Sequence, residues 1–130
     1  MRVKELRLAM TVDDFDEALA FYRDRLGLPL LEAWSEDGRV VLLDAGRATL
    51  ELLDATHAAA VDSIEVGRRV AGPIRVALEV DDSPAVAREL EGAGAKRLGG
   101  PIDTPWRHRN VRLQAPDGMQ LTLFTVLDEQ

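Results

Sequence analysis

The chain has 130 residues, 46% hydrophobic and 30% charged, a balance that describes one globular domain and excludes a disordered chain. A formal charge of −7 argues against nucleic acid and anionic membrane partners, and the absence of cysteine removes disulfides, thiolate metal sites and cysteine nucleophiles. Arg2, Lys4, Glu5 and Arg7 interrupt any opening apolar run, and no stretch approaches the ~18 apolar residues needed to cross a bilayer, so a cytoplasmic location is expected.

In segment 3–12, Leu6, Leu8, Met10 and Val12 alternate with Glu5, Arg7, Ala9 and Thr11, the period of a half-buried strand. A helix follows. Phe15, Ala18, Leu19, Tyr22 and Leu26 share one face, Asp14 and Glu17 form a capping box, and Gly27 is placed to end it. Strands are expected near 29–35, 39–45 and 48–54, separated by the turn signals Asp37-Gly38 and Ala45-Gly46. Residues 55–72 lose this rhythm and read as a connection with room for a short helix.

The pattern then restarts. Ile74, Val76, Leu78 and Val80 alternate with Arg75, Ala77 and Glu79. Ser83 is expected to cap a second helix with Pro84 at its first position; Val86, Ala87, Leu90 and Ala93 form its apolar face, and Gly92 and Gly94 close it. Three strands follow near 96–102, 108–114 and 119–126, the last two joined by Ala115-Pro116-Asp117-Gly118.

Both halves run strand, helix, strand, strand, strand. RLAMTVDD lies on RVALEVDD at an offset of 68, and Leu50-Glu51-Leu52 on Leu121-Thr122-Leu123 at an offset of 71. Two matches in the same order at nearly one offset indicate a duplicated βαβββ module. The expected division is 1–54, a connection at 55–72 and 73–130, together one α+β domain with a cup-shaped mixed sheet. If the even positions of segment 3–12 pack on the helix, Glu5, Arg7, Ala9 and Thr11 face the cup. By the same parity Arg75, Ala77, Glu79, Thr49, Glu51, Gln120, Thr122 and Phe124 face it too.

Val12-Asp13-Asp14-Phe15, Ala18, Phe21-Tyr22 and Leu26-Gly27 resemble the opening module of the glyoxalase, bleomycin-resistance and dioxygenase families of the vicinal oxygen chelate superfamily. Ala115-Pro116-Asp117-Gly118-Met119 with Leu121 and Leu123 resembles its closing turn and strand. The likeness spans essentially the whole chain. It implies a metal site at Arg7, Glu51, Arg75 and Thr122, where the family's metal enzymes hold a divalent ion. Of these only Glu51 is an ordinary ligand, because arginine is a permanently charged donor and threonine is a poor substitute for a carboxylate. Neither His57, in the connection, nor His108, at a strand start, replaces a lost ligand. No catalytic metal and no other cofactor is expected.

Arg7, Glu51 and Arg75 should converge, either as an internal Arg–Glu–Arg salt bridge or with positive charge left over for a ligand carboxylate, phosphate or phenolate. Trp34 and Trp106 are candidates to sandwich a planar ligand, and His108 is the one plausible neutral-pH base near the cup. Arg107, Arg109 and Arg112 read as a solvated or acid-paired face that can rim the pocket. The expected function is metal-free binding of an aromatic or amphipathic small molecule, of the bleomycin-resistance type, with Arg7, Glu51, Arg75, Thr122, Trp34, Trp106 and His108 at the site. A glyoxalase-like lyase or isomerase, or a dioxygenase-like enzyme with an atypical site, is the alternative; a cup closed by its own salt bridges is a third. The resemblance also favours a homodimer building each cup from two chains.

Overall fold

A computed structural model describes residues 2–128, so the final two positions assigned to the second module, and Met1 of the first, lie outside the described residues. The elements are β1 (Glu5–Thr11), α1 (Phe15–Leu19), β2 (Leu30–Trp34), β3 (Val40–Asp44) and β4 (Thr49–Leu53), then α2 (Ala55–Glu65). They continue with β5 (Ile74–Glu79), α3 (Ser83–Gly92), β6 (Lys96–Asp103), β7 (His108–Gln114) and β8 (Gln120–Val126). The strands form one eight-stranded sheet in the order β2-β3-β4-β1-β5-β8-β7-β6. It is a mixed α+β fold. β1 pairs in parallel with β4, and β5 with β8, while β1 and β5 join the halves antiparallel, with Arg7 opposite Ala77 and Ala9 opposite Arg75.

The alternation read in the sequence sets the two faces. On the convex face, Leu8, Met10 and Val12 pack with Leu50, Leu52 and the α1 residues Phe15 and Ala18. The second half repeats this with Val80, Val111, Leu113 and Leu123 against Val86 and Ala87 of α3. Asp14 caps α1 by accepting from the Glu17 amide at 3.0 Å. Past Leu19 the helix widens into a π segment, Ala20–Arg25, which ends with the Leu26 amide donating to the Phe21 carbonyl at 2.8 Å.

One expectation about α3 is corrected. Its cap is Asp82, whose side chain accepts from the Ala85 amide at 3.1 Å, and Ser83 is the first helical residue. The Ser83 hydroxyl is used elsewhere: it donates to the Arg109 carbonyl at 2.7 Å, and its amide donates to Thr125 Oγ1 at 2.8 Å, pinning α3 to the sheet.

The connection holds a full helix with a structural task. Asp54 caps α2 through the His57 amide at 2.8 Å and also accepts from the Arg39 amide at 3.0 Å, which ties the helix to the β2–β3 hairpin. That hairpin turns through Asp37 and Gly38 at φ 53° and 90°, the two positive values expected of an Asp-Gly turn. A Cβ on Gly38 would lie 2.4 Å from the His57 amide nitrogen, and one on Gly99 in β6 would lie 2.0 Å from the Glu65 carbonyl oxygen. Bare backbone at both positions lets α2 seat against the hairpin of one half and β6 of the other.

Candidate functional site

The concave face and α2 enclose a cavity of about 530 Å³. Arg7, Glu51, Arg75, Thr122, Trp34, Trp106 and His108 all line it, so the structure gathers every candidate residue around one space. A single chain supplies all of them. β1 and β5 pair within the chain and place both walls side by side, so the two modules of one chain share this cup.

Arg7 and Arg75 converge on Glu51. Arg7 Nη1 lies 3.9 Å from Glu51 Oε1 and Arg75 Nη2 lies 3.7 Å from Oε2. Arg75 Nη1 also donates to Thr122 Oγ1 at 3.0 Å. The sequence reading turned Glu5 toward the cup but did not join it to this network. Glu5 accepts from Arg7 Nε at 3.1 Å and from Thr49 Oγ1 at 2.7 Å. Two arginines thus face two carboxylates, and the network has no spare positive charge to offer an anion. Its pairing was within reach of sequence reasoning, because Glu5 shares the inward parity of Arg7 two residues on.

The Arg7 guanidinium stands 4.8 Å from the centre of the Phe124 ring, and His108 stacks on the same ring at 4.8 Å. Burial, together with the Arg7 charge, pushes His108 down to about 4, so its imidazole is neutral at pH 7. Trp106 packs against Ala9, Leu53 and Val61 and approaches His57, its ring centre 6.2 Å from the imidazole. Trp34, at the end of β2, is 39% exposed and stands at the cavity mouth.

The largest departure from the sequence reading is Arg112. Expected on a solvated or acid-paired face, it is acid-paired but fully buried, with Nη1 2.8 Å from Asp62 Oδ1 and Nη2 3.0 Å from Glu65 Oε1. Arg109 does lie on an exposed, acid-paired face, 2.8 Å from Asp103, and Arg107 donates to the Asp128 carbonyl. Asp62 also accepts from Arg69 Nη1 and from the Val70 and Ala71 amides. Burial raises the Asp62 carboxyl, but those two amides, Arg112 and Arg69 outweigh it and hold the group below its ordinary value. Asn110 Nδ2 donates to Glu65 Oε2 at 2.9 Å. The signal for this cluster was available: Asn110 and Arg112 share inward parity on β7, and Asp62 and Glu65 are three apart on one helix.

A protein-family model described as the Glyoxalase/Bleomycin resistance protein/Dioxygenase superfamily matches residues 6–123. The chain belongs to this superfamily. It is 26% identical over 130 residues to the uncharacterized protein YraH of Bacillus subtilis (strain 168), covering 96% of this chain and all of that one. Among solved structures, methylmalonyl-CoA epimerase from Mycobacterium tuberculosis is similar at a TM-score of 0.70 and 19% identity, over 97% of this chain and 90% of that one. A hypothetical protein from Bacillus halodurans C-125 is similar at 0.69 and 17% identity, over 99% and 96%. At these identities the structural likeness carries the fold.

The metal site that the superfamily's metal enzymes imply does not fit these residues. Two guanidiniums, donor-only and positive, stand at two of the four positions, and the remaining carboxylate is engaged by both. Among the described residues no group of three or more His, Asp or Glu could hold a metal ion. Nor is any helix among them long and apolar enough to cross a membrane.

Proposed function

We propose that the chain is a metal-free small-molecule-binding protein of the bleomycin-resistance type, holding an aromatic or amphipathic ligand in the cup and acting by sequestration. The observation that carries this reading is the mixed lining of the cavity. Ala33, Trp34, Val40 and Leu42 of β2 and β3 give it an apolar stretch, Arg7, Glu51, Arg75, Asn110 and Thr122 give it polar groups, and Trp106 and Phe124 offer ring faces. An amphipathic cavity of this volume suits a ligand with one apolar and one polar end. The closed Arg7–Glu51–Arg75 network favours an uncharged polar end over an anion, since an anion would have to displace a carboxylate already in place.

In this reading Trp34, Trp106 and His108 contact the ligand, and Arg7, Glu51, Arg75 and Thr122 set the polarity of the cup floor. The protein acts in the cytoplasm as a homodimer, without nucleic-acid or membrane partners; light scattering of the purified protein tests the dimer. Tryptophan fluorescence titrated with a panel of planar aromatic compounds tests binding. A compound that enters the cup should shift the emission, and the response should shrink in Trp106→Leu. Elemental analysis that finds a stoichiometric divalent ion would overturn the metal-free reading.

A further inference from the structure

The triad on the cup floor balances its charges without bonding them. Arg7 Nη1 and Arg75 Nη2 stand 3.9 and 3.7 Å from the two oxygens of Glu51, beyond hydrogen-bond reach. Arg7 spends its Nε on Glu5, and Arg75 its Nη1 on Thr122. Guanidinium and carboxylate normally close to about 2.8 Å, so the wider spacing leaves a slot between them. The slot opens on the cavity. All three residues line it, and their side chains keep 14%, 14% and 9% of their surface open for Arg7, Glu51 and Arg75. Glu51 lies on an inner strand whose other face is packed through Leu50 and Leu52, so its open surface gives on the cup. The polar atoms that are both unpartnered and sealed off lie elsewhere among the described residues, at Arg97, Asn110 and Arg112. The facing ends of the triad are therefore unbonded and reachable.

We propose that this slot receives an uncharged hydroxyl of the ligand, which donates to Glu51 and accepts from Arg7 or Arg75, so that the cup selects aromatic molecules bearing a neutral O–H. This rests on the reading of the cup as a ligand site. One oxygen can stand about 2.8 Å from a carboxylate oxygen and from the guanidinium nitrogen facing it when those two are 3.7–3.9 Å apart. Both bonds are then charge-assisted, and neither ionic partner is displaced. An anion brings no proton for Glu51 and meets its charge; an ammonium brings no lone pair and meets two arginines. Leu42 stands directly across from Glu51 and lines the cavity, which offers an apolar surface to the ring that carries the hydroxyl.

Isothermal titration calorimetry with 2-naphthol, 2-methoxynaphthalene and 2-naphthoate tests this. The ether keeps the acceptor but lacks the proton, and as the more apolar molecule it would win by burial alone. The wild-type protein should bind 2-naphthol roughly tenfold tighter than either of the others. Glu51→Gln keeps the shape and removes the charge, so the advantage of naphthol over the ether should shrink severalfold while 2-naphthoate gains roughly tenfold from two uncompensated arginines. The wild-type comparison depends on no variant folding. Equal affinities for naphthol and ether in the wild type, tightest binding of naphthoate there, or a naphthol advantage that Glu51→Gln leaves intact would overturn the hydroxyl slot while the cup remains a ligand site. Failure of all three probes to bind would sink the cup reading as well. A crystal structure of the 2-naphthol complex with the hydroxyl turned away from Glu51 would also overturn the proposal.

Discussion

Leu42 and Val40 of β3 stand opposite Glu51 and Leu53 of β4, and in the second half Arg112 and Asn110 of β7 stand opposite Thr122 and Phe124 of β8. The strands and registers match, but the concave surfaces they present do not. The first half meets α2 through apolar contact, with Val61 lodged among Ala9, Leu53 and Val40. The second half meets the same helix through charge, with Arg112 clamped between Asp62 and Glu65. The convex cores, by contrast, are alike: aliphatic strand residues under one helix in each half. The repeat thus constrains the face that builds each module, while the concave face has diverged where it meets α2, apolar in the first half and charged in the second.

The sharpest way to break that contrast is to remove the cation. Arg112→Met should destabilise the protein by about 3–5 kcal/mol in urea unfolding, because two buried carboxylates lose their shared partner. The corresponding change on the apolar side is smaller. Val61→Ala should cost about 2 kcal/mol by the same measurement, the transfer term for two carbons plus a small cavity. The helix caps, equivalent in the two halves, should behave alike: Asp14→Ala and Asp82→Ala should each cost about 1 kcal/mol.

The pH dependence gives the gentlest test. His108 titrates at about 4 in the folded chain against 6.5 ordinarily, so the unfolded chain takes up its proton first. Stability should be full above 6.5 and fall as pH drops from 6.5 toward 4. His108→Leu should flatten the thermal midpoint between pH 7 and pH 5. Asp62, held below its ordinary 3.8, contributes stability above that value that is lost only as pH falls through its lower folded value, so the two groups act in separate windows.

Local signals made most of the frame legible. Alternation in segments 3–12 and 74–80, the Asp37-Gly38 turn and the Asp14 cap each act over a few residues, and β7 spans 108–114 as read. Strand parity carried further, placing Arg7, Glu51, Arg75 and Thr122 around one space. It was not carried far enough. It had already turned Glu5 toward the cup, where pairing with Arg7 removes the spare charge; extended to β7, it turns Arg112 and Asn110 inward. The task of α2 was hidden for a different reason. His57, Val61, Asp62 and Glu65 are a mixed set that resembles no single amphipathic stripe, because the two ends of the helix face surfaces of opposite character. Ser83 misled because serine and aspartate are both good caps, and only the tertiary bonds of Ser83 decide between them.

The seating of α2 means that two once-equivalent halves have become mutually dependent. A fragment beginning at residue 73 would keep Arg112 but forfeit both of its counter-ions, and a fragment ending at Leu53 would leave the Val40–Leu53 surface without its cover. Neither piece is a self-sufficient ancestor. The chain should melt as one cooperative unit, and split-protein reconstitution should succeed only when the helix travels with a fragment that can deliver Asp62 and Glu65 to the other.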